Sequence, residues 1–385
     1  MTTTSSPLLG IYGPQTPLKT GVARYIQQSL TPLEGYFSCR HVADHEAISP
    51  YDFDYVLYHL GNNSMHHGAF RALRERPGPV LLHEYNNLKY YQQAWDQLSD
   101  HERRQLLMLL SSALDWNTGT LTKLEEFFKH YPGQDLGRID AGCERLVIES
   151  ATIIFVHSIG TARILRSRYP RSSIEVLPFP VSRIAPTCRA IGRCRLGIPD
   201  DTYLFGALGF VSKRKRVESI ISAWNRWKHR PSNVMLLFAG ERLYNAAIPH
   251  SSQIHESGYI TDEAFNDFLL AIDCGLQLRY PCLGETSGPG STLVAHYRPV
   301  IFSDIPEMQL SVRRDNVIYV PVGAGEVDAL TRAMQSQYNA PKSAMNYDES
   351  FSWQAWAAVL AEKMLTAPKD ATRGRESGRL EHGLP

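Results

Sequence analysis

Four consecutive cations, "KRKR" at 213–216, separate a strand-like run from an amphipathic helical pattern. Lys215 and Arg216 directly precede the helix, where the helix dipole disfavours positive charge. A bound diphosphate would offset this placement, because cations form strong hydrogen bonds with phosphate oxygens. We therefore predict that Lys215 and Arg216 point into a binding cleft, and we interpret Lys213 and Arg214 as solvated.

A glycine-rich loop, "GETSGPGS" at 284–291, follows another apolar run. Its glycines allow the backbone to approach a ligand closely. A helix beginning near 288–291 would present free N–H groups to a phosphate. Glu285 precedes this turn, where its carboxylate can accept hydrogen bonds from hydroxyl groups. The loop therefore predicts an anion-binding backbone with one carboxylate for a sugar.

Polar side chains follow two apolar runs nearer the N-terminus, "YVLYHL" and "PVLL". They are His59, Asn62, Asn63, His83, Glu84 and Asn86. A single histidine is usually a structural residue, but several polar groups gathered at strand ends suit a polyhydroxylated ligand. We predict that Asn62, Asn63, Glu84 and Asn86 bind the acceptor and that His83 takes part in proton chemistry.

Two further positions have alternative interpretations. The loop at 13–25 places Gly21 at a helix start, where backbone N–H groups can hold an anion or a sugar hydroxyl. A plain strand–helix connection explains this loop equally well. Near the end of the run "CGLQLRY", Arg279 either faces a ligand or forms a salt bridge, for which Asp304 and Glu307 are candidate partners.

The elements that must position these residues follow a simple alternation. Short apolar runs alternate with helical patterns in two series, which begin at "LLGIYG" and "YLFGALGF". This predicts two parallel sheets covered by helices. Ligands of such sheets bind beyond the carboxyl ends of the strands, so two facing sheets form a cleft. The predicted parts are an N-terminal domain (1–182), a C-terminal domain (183–345), a final helix (346–366) and a disordered tail (367–385).

Composition narrows the class of protein. The 385 residues are 43% hydrophobic and 21% charged, with a formal net charge of +1, so a nucleic-acid partner is not expected. No apolar run approaches the roughly 18 residues of a membrane span, and the N-terminus lacks a signal-peptide pattern. Six cysteines without a CxxC pair predict reduced thiols in a cytoplasmic protein. Peripheral contact with the inner face of the membrane is compatible with this composition, and the oligomeric state is not indicated.

Three motif-like patterns are interpreted as fortuitous. Asp52 and Asp54 form an Asp-x-Asp pair but precede a strand, which places them at the wrong end of the sheet, so no metal site is predicted. "GPGSTL" lacks the third glycine of a dinucleotide fingerprint, because Leu293 stands there. "HEYNN" lacks the second histidine of a zinc motif.

In their order and spacing, the segments "TGVARY", "YHLGNN", "LLHEY", "GFVSKRKR", "GETSG", "RPVIFSD" and "FSWQAWA" resemble the retaining family 4 glycosyltransferases. The resemblance extends to about residue 366. It implies the GT-B fold, in which two Rossmann-like domains face each other across a cleft and a C-terminal helix crosses back to the first domain. It also implies a nucleotide-sugar donor and an enzyme that needs no metal or other cofactor.

The resemblance also implies residue roles. His83, Lys215 and Glu285 match catalytic positions. The positions that match the donor site are Gly21, Phe210, Lys215, Arg216, Tyr259, Ile260, Glu285, Thr286, Ser287 and Gly288. Two positions depart from the family pattern: Leu293 replaces the glutamate that holds the donor ribose, and Phe210 replaces an arginine. We expect Arg279 or Arg216 to compensate by binding the donor.

The expected reaction is hexosyl transfer to an acceptor hydroxyl with retained anomeric configuration, in the biosynthesis of a glycan, a polysaccharide or a glycosylated natural product. A glycan, a lipid-linked intermediate and a small molecule all remain open as acceptors. The alternative is a non-catalytic GT-B scaffold or binding subunit that has lost donor binding, and the departures at Leu293 and Phe210 motivate it.

Overall fold

The computed structural model describes residues 6–18, 20–114, 120–131, 139–249, 251–282, 284–310, 314–340 and 346–366. These residues form two parallel sheets of six strands each, connected by helices. The predicted α/β architecture with two parallel sheets is therefore confirmed. The predicted disordered tail lies outside the described residues.

The four inner strands of the first sheet are short, apolar and mostly buried, as parallel strands between helical layers require, whereas its two edge strands are more exposed. The strands of this sheet are β1 Leu8–Tyr12, β2 Ser38–Val42, β3 Tyr55–Leu60, β4 Gly78–Leu82, β5 Ala151–Val156 and β6 Ile174–Val176. They lie in the order β2-β1-β3-β4-β5-β6. Because β3, β4 and β5 are neighbours, the residues that follow them meet at one edge of the sheet.

The helices of this half include one with a clear sequence-encoded start. They are α1 Gly21–Leu33, α2 His67–Glu75, α3 Leu88–Gln93, α4 Asp100–Ala113, α5 Leu121–His130, α6 Arg145–Ile148 and α7 Ile159–Arg168. At the start of α4, the Ser99 side chain accepts from the Glu102 N–H while the Glu102 carboxylate accepts from the Ser99 N–H. This reciprocal pairing satisfies backbone donors that the first turn leaves free.

The second sheet repeats the arrangement. Its strands are β7 Tyr203–Leu208, β8 Val234–Ala239, β9 Ile254–Gly258, β10 Cys274–Gln277, β11 Val300–Ser303 and β12 Val317–Val320, in the order β12-β11-β10-β7-β8-β9. Its helices are α8 Thr187–Leu196, α9 Val217–Arg226, α10 Asp262–Ala271, α11 Gly288–Ala295 and α12 Glu326–Asn339. Since β7 pairs with β10, the loops after these two strands lie side by side.

The last helix, α13 Trp353–Thr366, packs on the first half rather than the second. Trp353 and Trp356 are buried in the same core cluster as Leu9, Ile11 and Tyr25. The chain therefore crosses back, as expected. The domain boundary after residue 182 stays a prediction.

Residues that follow the strands of one sheet touch residues that follow the strands of the other. The Ser158 hydroxyl donates to the carbonyl oxygens of Pro306 at 3.1 Å and Gln309 at 2.9 Å. A β-carbon at Gly160 would lie 1.7 Å from the Pro306 oxygen, so this contact requires glycine. The carboxyl edges of the two sheets thus face each other across a narrow cleft. Among the described helices, none is long and apolar enough to cross a membrane.

Candidate active site

Charged side chains from both sheets meet in the cleft around Glu285, in the loop between β10 and α11. Arg279, two residues beyond β10, donates through Nη1 to Glu285 Oε1 at 2.6 Å. Arg214, in the turn after β7, forms an ion pair with the same oxygen. The Cys282 thiol donates to Oε2 at 3.4 Å. The adjacency of β7 and β10 explains why residues 65 positions apart (Arg279 minus Arg214) share one carboxylate.

Lys215 adds a third cation to this cluster without an ion-pair partner among the described residues. Its Nζ donates to the Leu208 carbonyl oxygen at 2.6 Å. Loss of water lowers the pKa of Lys215 to about 7, nearby Arg279 lowers it as well, and Glu285 opposes both effects. A β-carbon at Gly209, which has a φ of +94°, would lie 3.0 Å from Nζ. The cluster is therefore short of negative charge.

Glu84 brings a second carboxylate from the first sheet, two residues after β4. The backbone N–H of Asn62 donates to its Oε2 at 3.0 Å. Loss of water and then the charge of Glu285 raise the pKa of Glu84 to about 7, while Arg214 and Arg279 lower it. Glu84 and Glu285 are thus close enough across the cleft to interact electrostatically.

The assignment of cations within the "KRKR" run needs correction. Arg216 was predicted to bind the diphosphate, but its Nε donates to Glu326 Oε1 at 3.0 Å, and Glu326 is 2% exposed. Arg214, interpreted as solvated, is the arginine that reaches Glu285. The reason is a 3₁₀ turn over Lys213–Lys215, after which Arg216 adopts a φ of 56° and turns its side chain away. A run of four adjacent cations does not indicate which of them faces the cleft.

The partner of Arg279 also differs from the predicted alternatives. The expected salt bridge was to Asp304 or Glu307, and the observed one is to Glu285. Glu307 instead accepts a hydrogen bond from the Tyr85 hydroxyl at 2.9 Å and so connects the two halves. Arg279 therefore lies in the charged cluster around Glu285, and its role in donor binding stays a prediction.

His83 lies beside the cleft within a group of buried histidines. His83 Nε2 and His59 Nδ1 are 3.0 Å apart and share one proton. Burial lowers the pKa of His83 well below its usual value, so the imidazole is neutral. The His157 ring lies 5.8 Å from the His83 ring and was not singled out from the sequence. A signal existed, because β3, β4 and β5 each carry a histidine at or just after the carboxyl end.

The three asparagines predicted to bind the acceptor form hydrogen bonds within loops, and their acceptor role stays a prediction. Asn62 is 3% exposed, and its Oδ1 accepts from the Tyr90 N–H at 3.0 Å. Asn63 Oδ1 accepts from the Met65 N–H at 3.0 Å. Asn86 donates to the Ile139 carbonyl at 3.0 Å and accepts from the Leu88 N–H at 3.2 Å. Short polar side chains cap turns readily, which strand-end position alone cannot distinguish from ligand binding.

The predicted anion-binding loop has a well-defined helix start. Gly288 begins α11, and Ser287 caps it, because its Oγ accepts from the Gly290 N–H at 3.1 Å. The same hydroxyl donates to Gln277 Oε1 at 2.9 Å. The Thr286 hydroxyl is buried and has no hydrogen-bond partner among the described residues. Pro289 has no N–H, and the Gly290 and Ser291 N–H groups both donate to Ser287. The loop therefore combines the Gly288 N–H and the positive end of the helix dipole with one unpaired hydroxyl.

Gly284 allows the loop before α11 to lie close to the first half. Gly284 has a φ of +97°, and a β-carbon there would lie 2.3 Å from Tyr85 Cδ1. The loop can thus contact the first half directly only with glycine at this position.

Gly21 begins α1, which Thr20 caps, and a β-carbon at Gly21 would meet no atom within 4 Å. The space in front of α1 is open.

Exposed aromatic rings line the carboxyl edge of the second sheet. Phe210, Tyr259 and Tyr280 are 49%, 55% and 51% exposed, and they follow β7, β9 and β10. Ile260 is partly buried against the core. Leu293 is fully buried, and a β-carbon at Gly275 would lie 2.5 Å from its Cδ1. Leu293 therefore faces the sheet and not the cleft.

The Asp-x-Asp pair lies away from this cluster. Asp54 Oδ2 accepts from the backbone N–H of Leu8, the first residue of β1, at the amino edge of the sheet. Among the described residues, there is no group of three or more His, Cys, Asp or Glu side chains that could hold a metal ion.

Solved structures with two facing sheets resemble this chain over nearly its whole length. A sucrose-phosphate synthase from Thermosynechococcus elongatus matches with a TM-score of 0.53 and 14% identity over 94% of each chain. The Anabaena protein HepE, in complex with UDP-glucose, matches with a TM-score of 0.53 and 11% identity over 93% of this chain and 95% of its own. The chain has the GT-B fold.

This GT-B chain is otherwise divergent in sequence. HepE in complex with UDP and glucose gives a TM-score of 0.51 at 11% identity, over 93% of this chain and 95% of that one. No protein-family model and no curated protein sequence matches the chain. The resemblance is therefore one of fold, and the chemistry has to be argued from the side chains in the cleft.

Proposed function

We propose that this protein is a retaining glycosyltransferase that moves a hexosyl group from a nucleotide-sugar donor to an acceptor hydroxyl. The observation that carries the proposal is the uncompensated Lys215. Its ammonium, Arg214 and Arg279 surround the single carboxylate of Glu285. A diphosphate bears the negative charge that this cluster lacks.

Donor binding would exchange one anion for another. Arg214 and Arg279 both pair with Glu285. Each guanidinium has five N–H donors, so both can turn toward phosphate oxygens. Glu285 is then released to accept hydrogen bonds from the hydroxyls of the donor sugar. The N–H groups at the start of α11 add a further favourable field for the phosphate.

The same groups favour departure of the diphosphate. Negative charge grows on the phosphate oxygen as its bond to the anomeric carbon breaks. Preorganised cations and helix N–H groups stabilise that charge more strongly in a closed cleft than in water. We propose that these groups replace a metal ion in this role.

The rest of the donor has a suitable surface. Phe210, Tyr259 and Tyr280 expose aromatic faces along the edge of the second sheet, where a nucleobase can stack. The GT-B protein HepE was solved with UDP-glucose, which supports a nucleotide sugar as the ligand class. Leu293 faces the core, so in this proposal the ribose is held without the second glutamate.

The acceptor would approach from the first sheet, where Glu84 faces Glu285. A glycan, a lipid-linked intermediate and a small molecule all offer the hydroxyl that the reaction needs. The competing proposal is a scaffold that kept the GT-B fold and lost donor binding, and the buried Leu293 is the observation that favours it.

A panel of nucleotide sugars tests this function. UDP-glucose, UDP-galactose, UDP-N-acetylglucosamine and GDP-mannose are each added to the purified protein, and the melting temperature is recorded. We expect at least one to raise the melting temperature, because a ligand that binds only the folded state stabilises it. Lys215→Ala should lose that increase, whereas Lys363→Ala, on the distant helix α13, should keep it. No shift with any nucleotide sugar would favour the scaffold.

A further inference from the structure

Glu84 differs from the other polar residues at the ends of the first-sheet strands. Its Oε2 is fixed by the Asn62 N–H at 3.0 Å. Its Oε1 accepts no hydrogen bond within the part of the chain that the structure describes. The residue is partly exposed. One carboxylate oxygen is thus held and the other is available.

The charged groups around Glu84 come from the opposite half. Glu285, Arg214 and Arg279 all act on it electrostatically, and the net effect of burial and Glu285 raises its pKa to about 7. Lys215 belongs to the same cluster. On its own side, the neighbouring His83 is neutral and hydrogen-bonded to His59. Glu84 is therefore a carboxylate that can exchange a proton near neutral pH.

The other candidates for proton transfer are less suitable. Glu285 Oε1 accepts from Arg214 and Arg279, and its Oε2 accepts from Cys282. His83 Nε2 shares a proton with His59. A general base needs an accessible atom within reach of the hydroxyl that it deprotonates. Glu84 Oε1 is such an atom. His83 Nδ1 also has no hydrogen bond among the described residues, but burial lowers the pKa of His83 well below its usual value, so His83 is the weaker base.

We propose that Glu84 is the general base that accepts the proton of the attacking hydroxyl. This inference rests on the proposed transfer reaction. The hydroxyl approaches the face of the sugar from which the diphosphate leaves, so that the anomeric configuration is retained. Its proton passes to Glu84 Oε1 while its oxygen forms a bond to the anomeric carbon. The bond from that carbon to the phosphate oxygen breaks, and its electron pair leaves with the diphosphate. Protonated Glu84 then releases its proton to solvent.

Hydrolysis of the donor, with water as the acceptor, tests this role without knowledge of the natural acceptor. The probe is the member of the four-sugar panel that gives the largest increase in melting temperature, at saturating concentration. Glu84→Gln should lower the hydrolysis rate by about 10²-fold or more, the scale of general-base catalysis. Its affinity for the same probe should change by less than about threefold. Glu175→Gln, which removes a surface carboxylate paired with Lys363, should match the wild type.

Two further readouts separate a base from a structural residue. The wild-type rate should rise with pH through about 7, and Glu84→Gln should lose this rise. Formate should restore part of the activity of Glu84→Ala, because it supplies a carboxylate in the space left by the side chain. The proposal would be overturned if Glu84→Gln hydrolysed the donor at the wild-type rate, or if formate restored no activity to Glu84→Ala. Absence of any binding or hydrolysis by the wild type would overturn the transferase function itself, and the base with it.

Discussion

At the residue scale, the cleft is defined by an imbalance of charge. Three cations, Arg214, Lys215 and Arg279, surround Glu285, and Glu84 approaches from the other half. The imbalance is most evident at Lys215, because desolvation of its ammonium is offset by no ion pair within the described residues. Such a site is preorganised for a ligand that carries about two negative charges.

Lys215 should therefore matter more for turnover than its neighbours in the sequence. We expect Lys215→Ala to lower turnover by about 10²-fold, the scale of one lost electrostatic contact to a developing charge. Lys213→Ala is the matched control, because that lysine is exposed in the same turn and should leave turnover unchanged. Steady-state release of nucleoside diphosphate measures both, and equal rates in the two variants would exclude the role.

Donor affinity should depend on pH through the same lysine. The pKa of Lys215 is lowered to about 7, and the negative charge of a bound diphosphate would raise it. Binding therefore takes up a proton above about pH 7, and affinity should weaken by up to about tenfold per unit as the pH rises toward 9. Calorimetric titrations in buffers of different ionisation enthalpy detect this uptake. Lys215→Ala should abolish it, and pH-independent affinity in the wild type would contradict the assignment.

At this scale, the sequence predicts the kind of chemistry better than it predicts which residues carry it out. Cations and one carboxylate after neighbouring strands indicated an anion site with a sugar ligand. Whether Arg214 or Arg216 reaches Glu285 depends on the 3₁₀ turn over Lys213–Lys215, which the side chains of this run do not indicate. The acceptor role of the asparagines stays a prediction, because the same side chains that bind hydroxyls also cap turns.

At the element scale, the helix after the glycine-rich loop has two faces with different requirements. Its start, at Ser287 and Gly288, faces the cleft, while Leu293 packs into the core beneath. The glycines correctly predicted the position of this helix, whereas the direction in which Leu293 points depends on how α11 packs against β10. Short apolar strands were predictable because burial on both faces permits little except apolar residues.

Leu293→Glu should consequently destabilise the protein rather than restore a ribose ligand. The side chain is fully buried, so the new carboxylate would have no water and no described partner. We expect the free energy of unfolding to fall by about 3 kcal/mol or more. Leu293→Met, which keeps the volume, should cost less than about 1.5 kcal/mol. Urea denaturation compares the two, and a stable Leu293→Glu protein with tighter donor binding would contradict this orientation.

At the scale of the whole molecule, the two sheets are joined by close contacts and by buried imidazoles near the cleft. Ser158 and Tyr85 reach across to Pro306 and Glu307. Behind them, burial lowers the pKa of His66 and His157 to about 4. Both imidazoles are therefore neutral in the folded protein under ordinary conditions.

This burial predicts sensitivity to acid. The unfolded histidines titrate near pH 6.5, and the folded ones near 4, so the unfolded state binds more protons between these values. Stability is present above pH 6.5 and is lost as the pH falls below it, by up to about 1.4 kcal/mol per pH unit for each histidine. Urea denaturation from about pH 8 to 5 should show this slope. His157→Asn should lower this slope by the contribution of one proton, up to about 1.4 kcal/mol per pH unit. An unchanged slope would show that His157 does not contribute.

The central claim, a cationic site for a nucleotide-sugar diphosphate, is tested most directly by calorimetric titration with the four nucleotide sugars. The wild type should bind at least one of them below millimolar concentration. Arg214→Ala should weaken that binding by about 10- to 100-fold, the value of one or two charged hydrogen bonds, while Lys213→Ala leaves it unchanged. If the wild type binds none at millimolar concentration, or if Arg214→Ala binds as tightly as the wild type, the account of this cleft is wrong.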